Sequence, residues 1–318
     1  MKDALHLPSP AHLAARVAAL AAEAGFDRAG VTRAEPLGRL DYLHAWLAAG
    51  FAGRMNYLHR YLDQRDNPAL LLDSARSVIC LARDCRRDGG RDLPDELKTP
   101  PGYVARYARD ADYHVVLKQM AFGLLKRLRQ EVGSPFGAMV CVDSKPLLER
   151  ELAARAGLGW IGKNGLLIHP QAGSHCLLAE IIVTLEIEPS APMPDHCGRC
   201  RRCMDGCPTQ AIVRPRELDG RRCISYLTIE FREPSIPEEF AEKTGGRLFG
   251  CDRCQDVCPF NRKSLNSPAK ADDIPPDLPD RFDPAVVRNW TADDYSRQVA
   301  GTAGERATRS MWQRNAGE

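Results

Sequence analysis

Eight of the twelve cysteines in this 318-residue chain lie in one short segment, and their spacing limits what that segment can fold around. The first run has the pattern Cys-x2-Cys-x2-Cys-x3-Cys-Pro, and the second has Cys-x2-Cys-x3-Cys-Pro. In such a run three thiolates on a tight turn hold three corners of an iron–sulfur cubane, and the fourth cysteine binds the other cluster when two are present. One more cysteine lies between the runs. The segment is therefore predicted to hold two [4Fe–4S] clusters, with the metal ligands Cys197, Cys200, Cys203, Cys207, Cys223, Cys251, Cys254 and Cys258.

The exchange of the fourth cysteine also predicts how the eight thiolates divide. One cluster takes Cys197, Cys200 and Cys203 with Cys258, and the other takes Cys223, Cys251 and Cys254 with Cys207. The alternative is two zinc sites of four cysteines each, since paired Cys-x2-Cys motifs also bind zinc. We favour clusters because this spacing wraps a cube better than a single ion. The remaining cysteines are expected to be buried or incidental thiols: Cys80, Cys85, Cys141 and Cys176.

Composition and charge are those of an ordinary globular protein. Hydrophobic residues make up 44% of the chain and charged residues 27%, which excludes a disordered chain, a collagen and a coiled-coil rod. The net charge of +2 gives no overall attraction to nucleic acid or anionic membranes, although it allows a local basic face. Polar residues interrupt the N-terminal segment and no run of about 18 apolar residues occurs, so we expect neither a secretory signal nor a membrane span. Clustered thiols then indicate metal ligands in a cytoplasmic protein.

Periodicity and proline content divide the chain into three parts. Residues 1–190 alternate between predicted helices and strands, which indicates an α/β or α+β domain. The predicted helices are 11–24, 40–49, 112–132 and 146–156, and the predicted strands are 26–32, 77–82, 137–142 and 176–188. Prolines then precede a second, smaller domain at 191–265, which holds the clustered cysteines. Residues 266–318 are expected to form a proline-rich linker, over 274–284, and a short helical tail with a capping pattern at Thr291.

Asp143 is the first candidate for catalysis in the N-terminal domain. It follows a predicted strand, and open α/β sheets bind ligands at the carboxyl ends of their strands. Ser144 and Pro146 suit the N-cap and first turn of the next helix, so the alternative is that Asp143 only assists this cap or pairs with Arg150. To donate a proton at pH 7, its pKa must rise by about 3 units from about 3.9, and desolvation by a large apolar cofactor could supply that rise.

Two further patterns occur in the same domain. The glycines of 157–162 match the pattern of dinucleotide-binding loops, but they follow a predicted helix and not a strand, so we do not expect nicotinamide binding there. They indicate either a close approach of the backbone to a partner or a tight surface loop. A polar and aromatic cluster, which includes Tyr107 and Asp112-Tyr-His114, precedes the long predicted helix. His114 is expected to be an ordinary capping or core histidine, because Leu117 stands where a corrinoid-binding histidine motif needs glycine.

Several segments together resemble the epoxyqueuosine reductase family, the iron–sulfur and cobalamin enzymes of tRNA queuosine synthesis. The resemblance covers about residues 10–265 and extends to the C-terminal tail. It rests on both cysteine runs and on the segments 53–57 (GRMNY), 103–107 (YVARY), 142–144 (VDS), 156–164 (AGLGWIGKN), 222–230 (RCISYLTIE) and 312–315 (WQRN). It implies an α+β protein, with an N-terminal α/β domain at 1–190 that binds cobalamin without a histidine ligand, followed by a ferredoxin-like domain with two [4Fe–4S] clusters. The implied reaction reduces epoxyqueuosine to queuosine at the tRNA wobble position and removes the epoxide oxygen as water.

The resemblance also implies the site residues. Asp143 corresponds to the family's proton donor and lies in the cofactor site. The other implied cobalamin contacts are Arg65, Tyr107, Trp160, Lys163, Asn164, Leu167, Leu178, Ser225, Thr228 and Gly250. Another corrinoid iron–sulfur reductase, such as a reductive dehalogenase, shares this layout and is the alternative function. A plain ferredoxin-type electron carrier is a third alternative, but it leaves the N-terminal domain unexplained.

The implied partners are a tRNA, bound at its anticodon region, and an external electron donor; we expect a monomer that does not bind membranes. Some relatives carry a C-terminal helical-repeat extension that helps to hold tRNA, and this chain ends at Glu318 without one. Its tRNA contacts are therefore expected on the two main domains and the short tail. The candidates for phosphate contacts, or alternatively for solvated or cluster-neutralising charges, are Arg199, Arg201, Arg202, Arg214, Arg216, Arg221 and Arg222.

Overall fold

The computed structural model describes residues 8–85, 101–261 and 278–317. The helices are α1 (Pro10–Glu23), α2 (Leu40–Ala48), α3 (Leu62–Asp66), α4 (Tyr113–Val132), α5 (Glu149–Arg155), α6 (Arg202–Asp205), α7 (Ile224–Ile229), α8 (Glu238–Ala241), α9 (Arg253–Asp256), α10 (Pro284–Arg288), α11 (Ala292–Val299) and α12 (Arg309–Gly317). The strands are β1 (Arg28–Arg33), β2 (Ser77–Asp84), β3 (Tyr103–Val104), β4 (Ala138–Cys141), β5 (Trp160–Ile161), β6 (Leu167–Ile168), β7 (Cys176–Val183), β8 (Ile212–Arg214), β9 (Glu217–Leu218) and β10 (Arg247–Phe249). Short 3₁₀ turns occur at Asn56–His59, Pro68–Leu71, Arg106–Ala108, Gly220–Arg222, Glu242–Thr244 and Ala303–Arg306.

A four-stranded sheet in the order β1-β2-β7-β4 forms the centre of the N-terminal part. All of its pairs are antiparallel, and Glu180 on β7 lies opposite both Cys80 on β2 and Cys141 on β4. The sheet is therefore of the α+β kind, because antiparallel neighbours need no crossover helix between them. Side chains of β2 and β7 alternate between two apolar faces. One face packs against α1 and α4, and the other packs against α5.

The long helix α4 brings its first turn to the edge of this sheet. Asp112 is its N-cap and accepts the His114 N–H at 2.9 Å, and the helix ends at Gly133 in the left-handed region, with φ 67°. Leu117 and Leu124 recur at helical spacing and are fully buried against the sheet. This packing fixes the positions of the residues in the first turn.

The C-terminal helices pack into the body of the protein. Trp312 of α12 is fully buried, and its ring stacks on Phe249 with 5.4 Å between centroids and an interplanar angle of 14°. Asn315 Nδ2 donates to the carbonyl oxygens of Thr228 (3.0 Å) and Leu248 (2.8 Å). The strand β3 of the N-terminal part also pairs with β10 in parallel. The tail therefore fixes α7 and β10, which adjoin two of the clustered cysteines.

Prediction and structure differ most just after β4. The helix predicted over 146–156 begins at Glu149, and the predicted cap at Ser144 is wrong, since the N-cap position is Leu148 and makes no side-chain hydrogen bond. The reason is local: Asp143 is in the left-handed region (φ 52°), and its N–H donates to Glu149 Oε1 at 2.7 Å. Because the sheet is antiparallel, the ligand-site rule for open α/β sheets does not explain the position of Asp143.

Most other predicted elements are present with shifted ends. The strand predicted over 176–188 ends at Val183, and the apolar residues beyond it enter the core without extending the sheet. The glycine-rich segment 157–162 leads into the hairpin β5–β6. The predicted cap at Thr291 is confirmed, because Thr291 and Asp294 form a reciprocal capping box. The predicted linker, 274–284, lies partly outside the described residues.

Among the helices that the structure describes, none is long and apolar enough to cross a membrane.

Candidate active site and thiol clusters

Four of the clustered cysteines surround one cavity, which has an open space of about 330 Å³. These are the four thiols that the exchange rule assigns to one cluster: Cys197, Cys200, Cys203 and Cys258. Within the described residues, no three His, Cys, Asp or Glu side chains converge closely enough to hold a single metal ion. Four thiolates around one zinc ion each lie about 2.3 Å from the metal. Four thiols that line one cavity suit the corners of a cubane.

The other four clustered cysteines also lie together. Burial raises the pKa of the Cys254 thiol well above its usual range, and the charges of Cys251, Cys223 and Cys207 add to the rise. Burial likewise raises the pKa of Cys251 to about 12. Buried thiols that oppose one another's ionisation become good ligands only when a cation offsets their charge, as iron does in a cluster. This second thiol set is the other group of four in the predicted division.

The hairpin β5–β6 carries three of the expected cofactor residues to the first cavity. Trp160 is buried, and its Nε1 donates to Cys197 Sγ at 3.4 Å. Lys163 Nζ donates to the carbonyl oxygens of Gly198 (2.7 Å) and Cys200 (2.9 Å). The hairpin therefore holds the turn on which the first cysteine run is built.

Asn164 also lines this cavity and has a free donor. Its Oδ1 accepts the Leu166 N–H at 3.2 Å, but its buried Nδ2 has no hydrogen-bond partner among the described residues. A buried amide donor without a partner is available to a bound group. Leu167 lies instead in the core between the sheet and α5, and Leu178 packs against that core.

Thr228 and Gly250 tie together the backbone around the second thiol set. The Gly250 N–H donates to Thr228 Oγ1 at 3.0 Å. This bond joins the residue before Cys251 to α7, which begins after Cys223. Ser225 is half-buried in the same helix, and its carbonyl oxygen accepts from Thr228 Oγ1 at 3.4 Å. This hydrogen bond therefore helps to fix the distance between Cys223 and Cys251.

Tyr107 continues this region towards Asp143 through a row of aromatic rings. Its ring centroid lies 6.2 Å from that of Phe249 and 6.2 Å from that of Tyr113. Gly250 beside it has φ 71°, and a Cβ there would lie 2.6 Å from the Cβ of Ala105. Only glycine allows the backbone to pass so close in this conformation.

Two side chains from the first turn of α4 hold the Asp143 carboxylate. Tyr113 Oη donates to Asp143 Oδ2 at 2.8 Å, and His114 Nε2 lies 3.2 Å from the same oxygen. His114 Nδ1 lies 2.7 Å from Asp112 Oδ1, so the imidazole bridges two carboxylates. The Tyr113 and His114 rings stack with 4.0 Å between centroids. The Asp143 side chain is 58% exposed, so a substrate can reach it from solvent.

These hydrogen bonds lower the pKa of Asp143, because His114 and Tyr113 stabilise its ionised form. The same contact raises the pKa of His114. The residues of the chain therefore do not produce the rise in the pKa of Asp143 that a lone proton donor needs. A proton shared by this coupled pair is therefore favoured on the imidazole of His114 over the carboxyl group of Asp143.

Aromatic and cationic groups surround the exposed side of Asp143. The Arg306 guanidinium lies 5.8 Å from the Tyr57 ring centroid and pairs with Glu230 at 2.8 Å. Its positive charge contributes to the lowered pKa of Asp143. Arg65 Nη2 donates to the Tyr57 carbonyl oxygen at 3.2 Å, and the Tyr57 ring is exposed. We call the surface formed by Tyr57, Arg65 and Arg306 the site mouth.

Comparisons with known proteins identify the family. The family model described as epoxyqueuosine reductase QueG, DUF1730 matches residues 65–144, and the 4Fe-4S double cluster binding domain matches residues 196–261. The epoxyqueuosine reductase of Xanthomonas campestris pv. campestris is 41% identical over 322 residues, which cover 99% of this chain and 88% of that protein. This chain belongs to the epoxyqueuosine reductase family. Its double-cluster domain contains all eight clustered cysteines, and it binds two [4Fe–4S] clusters.

Solved structures of epoxyqueuosine reductases have the same fold. One, in complex with a tRNA-Tyr epoxyqueuosine-modified stem loop, matches with a TM-score of 0.80 and 30% identity over 96% of this chain and 80% of that one. Another, from Bacillus subtilis, is described with its catalytic aspartate loop swung out of the active site. It matches with a TM-score of 0.79 and 29% identity over 96% of this chain and 80% of that one.

In this member of the epoxyqueuosine reductase family, most of the arginines singled out from the sequence already have acidic partners. Four of the seven form ion pairs: Arg201 with Asp205, Arg214 with Glu217, Arg216 with Asp195, and Arg221 with Asp219. These pairs favour the alternative interpretation, in which the charges are compensated within the protein. Arg306 of the site mouth differs from these arginines, because its positive charge contributes to the lowered pKa of Asp143.

Sequence reasoning missed two residues of the site. Tyr113 and His114 were expected to belong to a polar cluster and a cap, whereas the structure brings both onto Asp143. The available signal was the Asp112-x-His114 spacing at a helix start. That spacing orients the imidazole, but only the packing of α4 on the sheet brings it to Asp143.

Proposed function

We propose that this chain reduces epoxyqueuosine in tRNA to queuosine. The epoxide loses its oxygen as water and becomes an alkene, which takes two electrons and two protons. The observation that carries the proposal is the Asp143 carboxylate, exposed to solvent and hydrogen-bonded to Tyr113 and His114, in an iron–sulfur member of the epoxyqueuosine reductase family. Family membership favours this activity over the dehalogenase and electron-carrier alternatives.

The residues fit the groups that this reaction needs. The two thiol sets suit two cubanes, with Cys197, Cys200, Cys203 and Cys258 as ligands of one, and Cys207, Cys223, Cys251 and Cys254 as ligands of the other. The free Asn164 donor suits a bound group, and for the further cofactor that the family resemblance implies we propose cobalamin. When bound, the clusters and cobalamin supply the two electrons. The proposed cobalamin contacts are Arg65, Tyr107, Asp143, Trp160, Lys163, Asn164, Leu167, Leu178, Ser225, Thr228 and Gly250.

The chain itself supplies the proton relay. His114 is the proton reservoir of this pair, because Asp143 and Asp112 both stabilise its charged form and raise its pKa. We infer that Asp143 takes this proton through the 3.2 Å contact and passes it to the departing epoxide oxygen. The Tyr113 hydroxyl keeps the carboxylate oriented during this transfer. Asp143 is thus the catalytic acid and His114 restores its proton, while the second proton of the water comes from solvent, to which Asp143 is exposed.

The substrate and its setting follow from the same proposal. The site mouth suits a nucleic acid, since Tyr57 offers a ring for base stacking and Arg65 and Arg306 offer positive charge. We propose that a monomer acts on tRNA in the cytoplasm with an external electron donor. We also retain the division into a cobalamin-binding part (1–190), a double-cluster part (191–265) and a tail (266–318).

The test is mass analysis of tRNA nucleosides after incubation with reduced, cobalamin-loaded protein. The wild type should convert epoxyqueuosine to queuosine. Asp143→Asn should retain cluster absorbance and corrin bands but lose turnover by about 100-fold or more, because general acid catalysis contributes that much. Asp41→Asn, at an exposed position on α2, is the matched control and should behave as the wild type. Full activity of Asp143→Asn would refute the acid role, and no conversion by loaded wild type would refute the function.

A further inference from the structure

A carboxyl group is buried in the middle of the central sheet. Glu180 is 0% exposed, and its direct neighbours across the sheet are the thiols of Cys80 and Cys141. Among the described residues, the one side chain that hydrogen-bonds with its carboxyl group is Glu149, also an acid, and no cation pairs with it. Burial raises the pKa of Glu180 well above its usual range, and the nearby acids Glu149 and Asp143 add to the rise. Burial without a cation therefore favours the neutral, protonated form of Glu180.

Glu149 joins this buried acid to the proposed catalytic residue. It is the first residue of α5 and is half-buried. Its Oε1 accepts the main-chain N–H of Asp143 at 2.7 Å. Burial raises the pKa of Glu149 to about 7, and the negative charge of Asp143 adds to the rise. The strength of this one hydrogen bond therefore changes near neutral pH, since an ionised acceptor binds more strongly than a neutral one.

The backbone at Asp143 needs such support. Its φ of 52° is uncommon for a residue with a side chain, and such conformations persist only where surrounding contacts hold them. One contact is the turn in which the Ser144 N–H donates to the Val142 carbonyl oxygen. The other is the bond to Glu149, which fixes the Asp143 peptide itself.

We propose that Glu149 is a positioning residue for Asp143. Its carboxylate accepts the hydrogen bond from the Asp143 N–H and thereby keeps the Asp143 side chain against Tyr113 and His114. The hydrogen bond from Glu180 favours the ionised form of Glu149 and so opposes part of the rise in its pKa. The effect on turnover rests on the proposed function, whereas the hydrogen bond that holds the Asp143 peptide does not.

This hydrogen bond predicts that turnover depends on pH, and several groups around Glu149 affect its ionisation. They are Asp143 and Lys145 after β4, Glu180 on β7, Tyr113 on α4, Arg150 on α5, and the thiols of Cys80 and Cys141. As the pH falls through about 7, Glu149 takes up a proton and its hydrogen bond to the Asp143 N–H weakens. The rate of turnover should therefore decline on the acid side. On the alkaline side it should decline separately, as the His114–Asp143 pair loses its proton.

The experiment compares Glu149→Gln and Glu149→Ala with Glu151→Gln in the full-length, cluster-loaded protein. Glu151 lies on the same helix but pairs with Arg39 and Arg155, so it is the matched control. Two quantities are measured between pH 6 and 8: kcat and KM on epoxyqueuosine-containing tRNA, and hydrogen–deuterium exchange in the segment 142–148, each relative to wild type at the same pH. The exchange measurement needs neither cobalamin nor substrate.

Glu149→Gln should lower kcat at pH 8 by about fivefold to tenfold with KM nearly unchanged, and it should abolish the acid-side decline. Exchange in the segment should rise in both variants, more in Glu149→Ala, and stay at the wild-type rate in Glu151→Gln. Unchanged exchange in Glu149→Ala, or an acid-side decline that survives in Glu149→Gln, would overturn the proposal. If the wild type converts no substrate, the proposed function fails, yet the exchange data still decide whether Glu149 holds Asp143.

Discussion

At the residue scale, two cysteine sulfurs each accept a hydrogen bond, and one of these bonds joins the two parts of the molecule. Trp160 Nε1 donates to Cys197 Sγ at 3.4 Å, and the Ala211 N–H donates to Cys207 Sγ at 3.3 Å. Such bonds stabilise the more negative, reduced cluster and thereby raise its reduction potential. Trp160 is the more informative of the two, because it comes from the N-terminal part and its donor can be removed by substitution.

We expect Trp160→Phe to lower the potential of the cluster bound by Cys197. A loss of about 1 kcal/mol of differential stabilisation corresponds to roughly 40 mV for a one-electron step. Redox titration followed by electron paramagnetic resonance measures it. Trp46→Phe is the control, since Trp46 Nε1 donates to a carbonyl oxygen, that of Leu218, at 2.7 Å. A potential unchanged in Trp160→Phe, or shifted equally in both variants, would contradict this expectation.

At the scale of elements, the tail helix α12 acts as a brace for the second thiol set. Arg314 Nη2 donates to the Leu227 carbonyl oxygen at 2.7 Å, and Asn315 joins α7 to β10. These elements contain no clustered cysteine, but Cys223 immediately precedes α7 and Cys251 follows β10 after Gly250. The polar side chains of the WQRN segment thus have a structural role, because Arg314 and Asn315 donate hydrogen bonds to carbonyl groups buried beside the second thiol set.

Asn315→Leu should destabilise this brace by about 3 kcal/mol, since it leaves two buried carbonyl groups without donors. Urea denaturation followed by cluster absorbance should show the transition at lower urea. Asn289→Leu is the comparison, because Asn289 is exposed and donates to the Ala285 carbonyl oxygen on the surface. It should change stability by less than about 0.5 kcal/mol. Equal effects of the two substitutions would argue against a brace.

At the scale of the whole molecule, the small net charge of +2 means that tRNA binding depends on where the charge lies. Many arginines are neutralised by carboxylates, as Arg214 is by Glu217. Arg306 also has an acidic partner, but it stands over Tyr57 beside Asp143. We therefore expect the local field at the site mouth, and not the overall charge, to determine where a phosphate backbone binds.

We expect the affinity for an epoxyqueuosine-containing stem loop to fall with rising salt. Arg306→Glu should weaken binding by about tenfold, while Arg214→Glu should weaken it by less than about twofold. Fluorescence anisotropy at two salt concentrations measures both effects. If Arg214→Glu proves as damaging as Arg306→Glu, the binding surface extends over the cysteine segment, and the site mouth is not its centre.

The cysteine spacing alone predicted the division of the eight thiols into two sets, and the structure brings the same groups of four together. It could do so because a run of cysteines on a tight turn is a local arrangement. The strand and helix periods were equally local, and they located β2, α4 and β7 to within a few residues. Cobalamin came from the resemblance to a family and from no spacing or composition.

Tertiary structure decided the surroundings of Asp143. Tyr113 and His114 lie about thirty positions before it in the chain, and Glu180 lies 37 positions after it. Only the packing of α4 and α5 on an antiparallel sheet brings these groups together. The predicted cap at Ser144 was wrong for the same reason. The Asp143 N–H donates to the Glu149 side chain, and the helix begins only at Glu149. The ionisation of a carboxylate depends on its neighbours in space, and these are determined by the way the whole core packs.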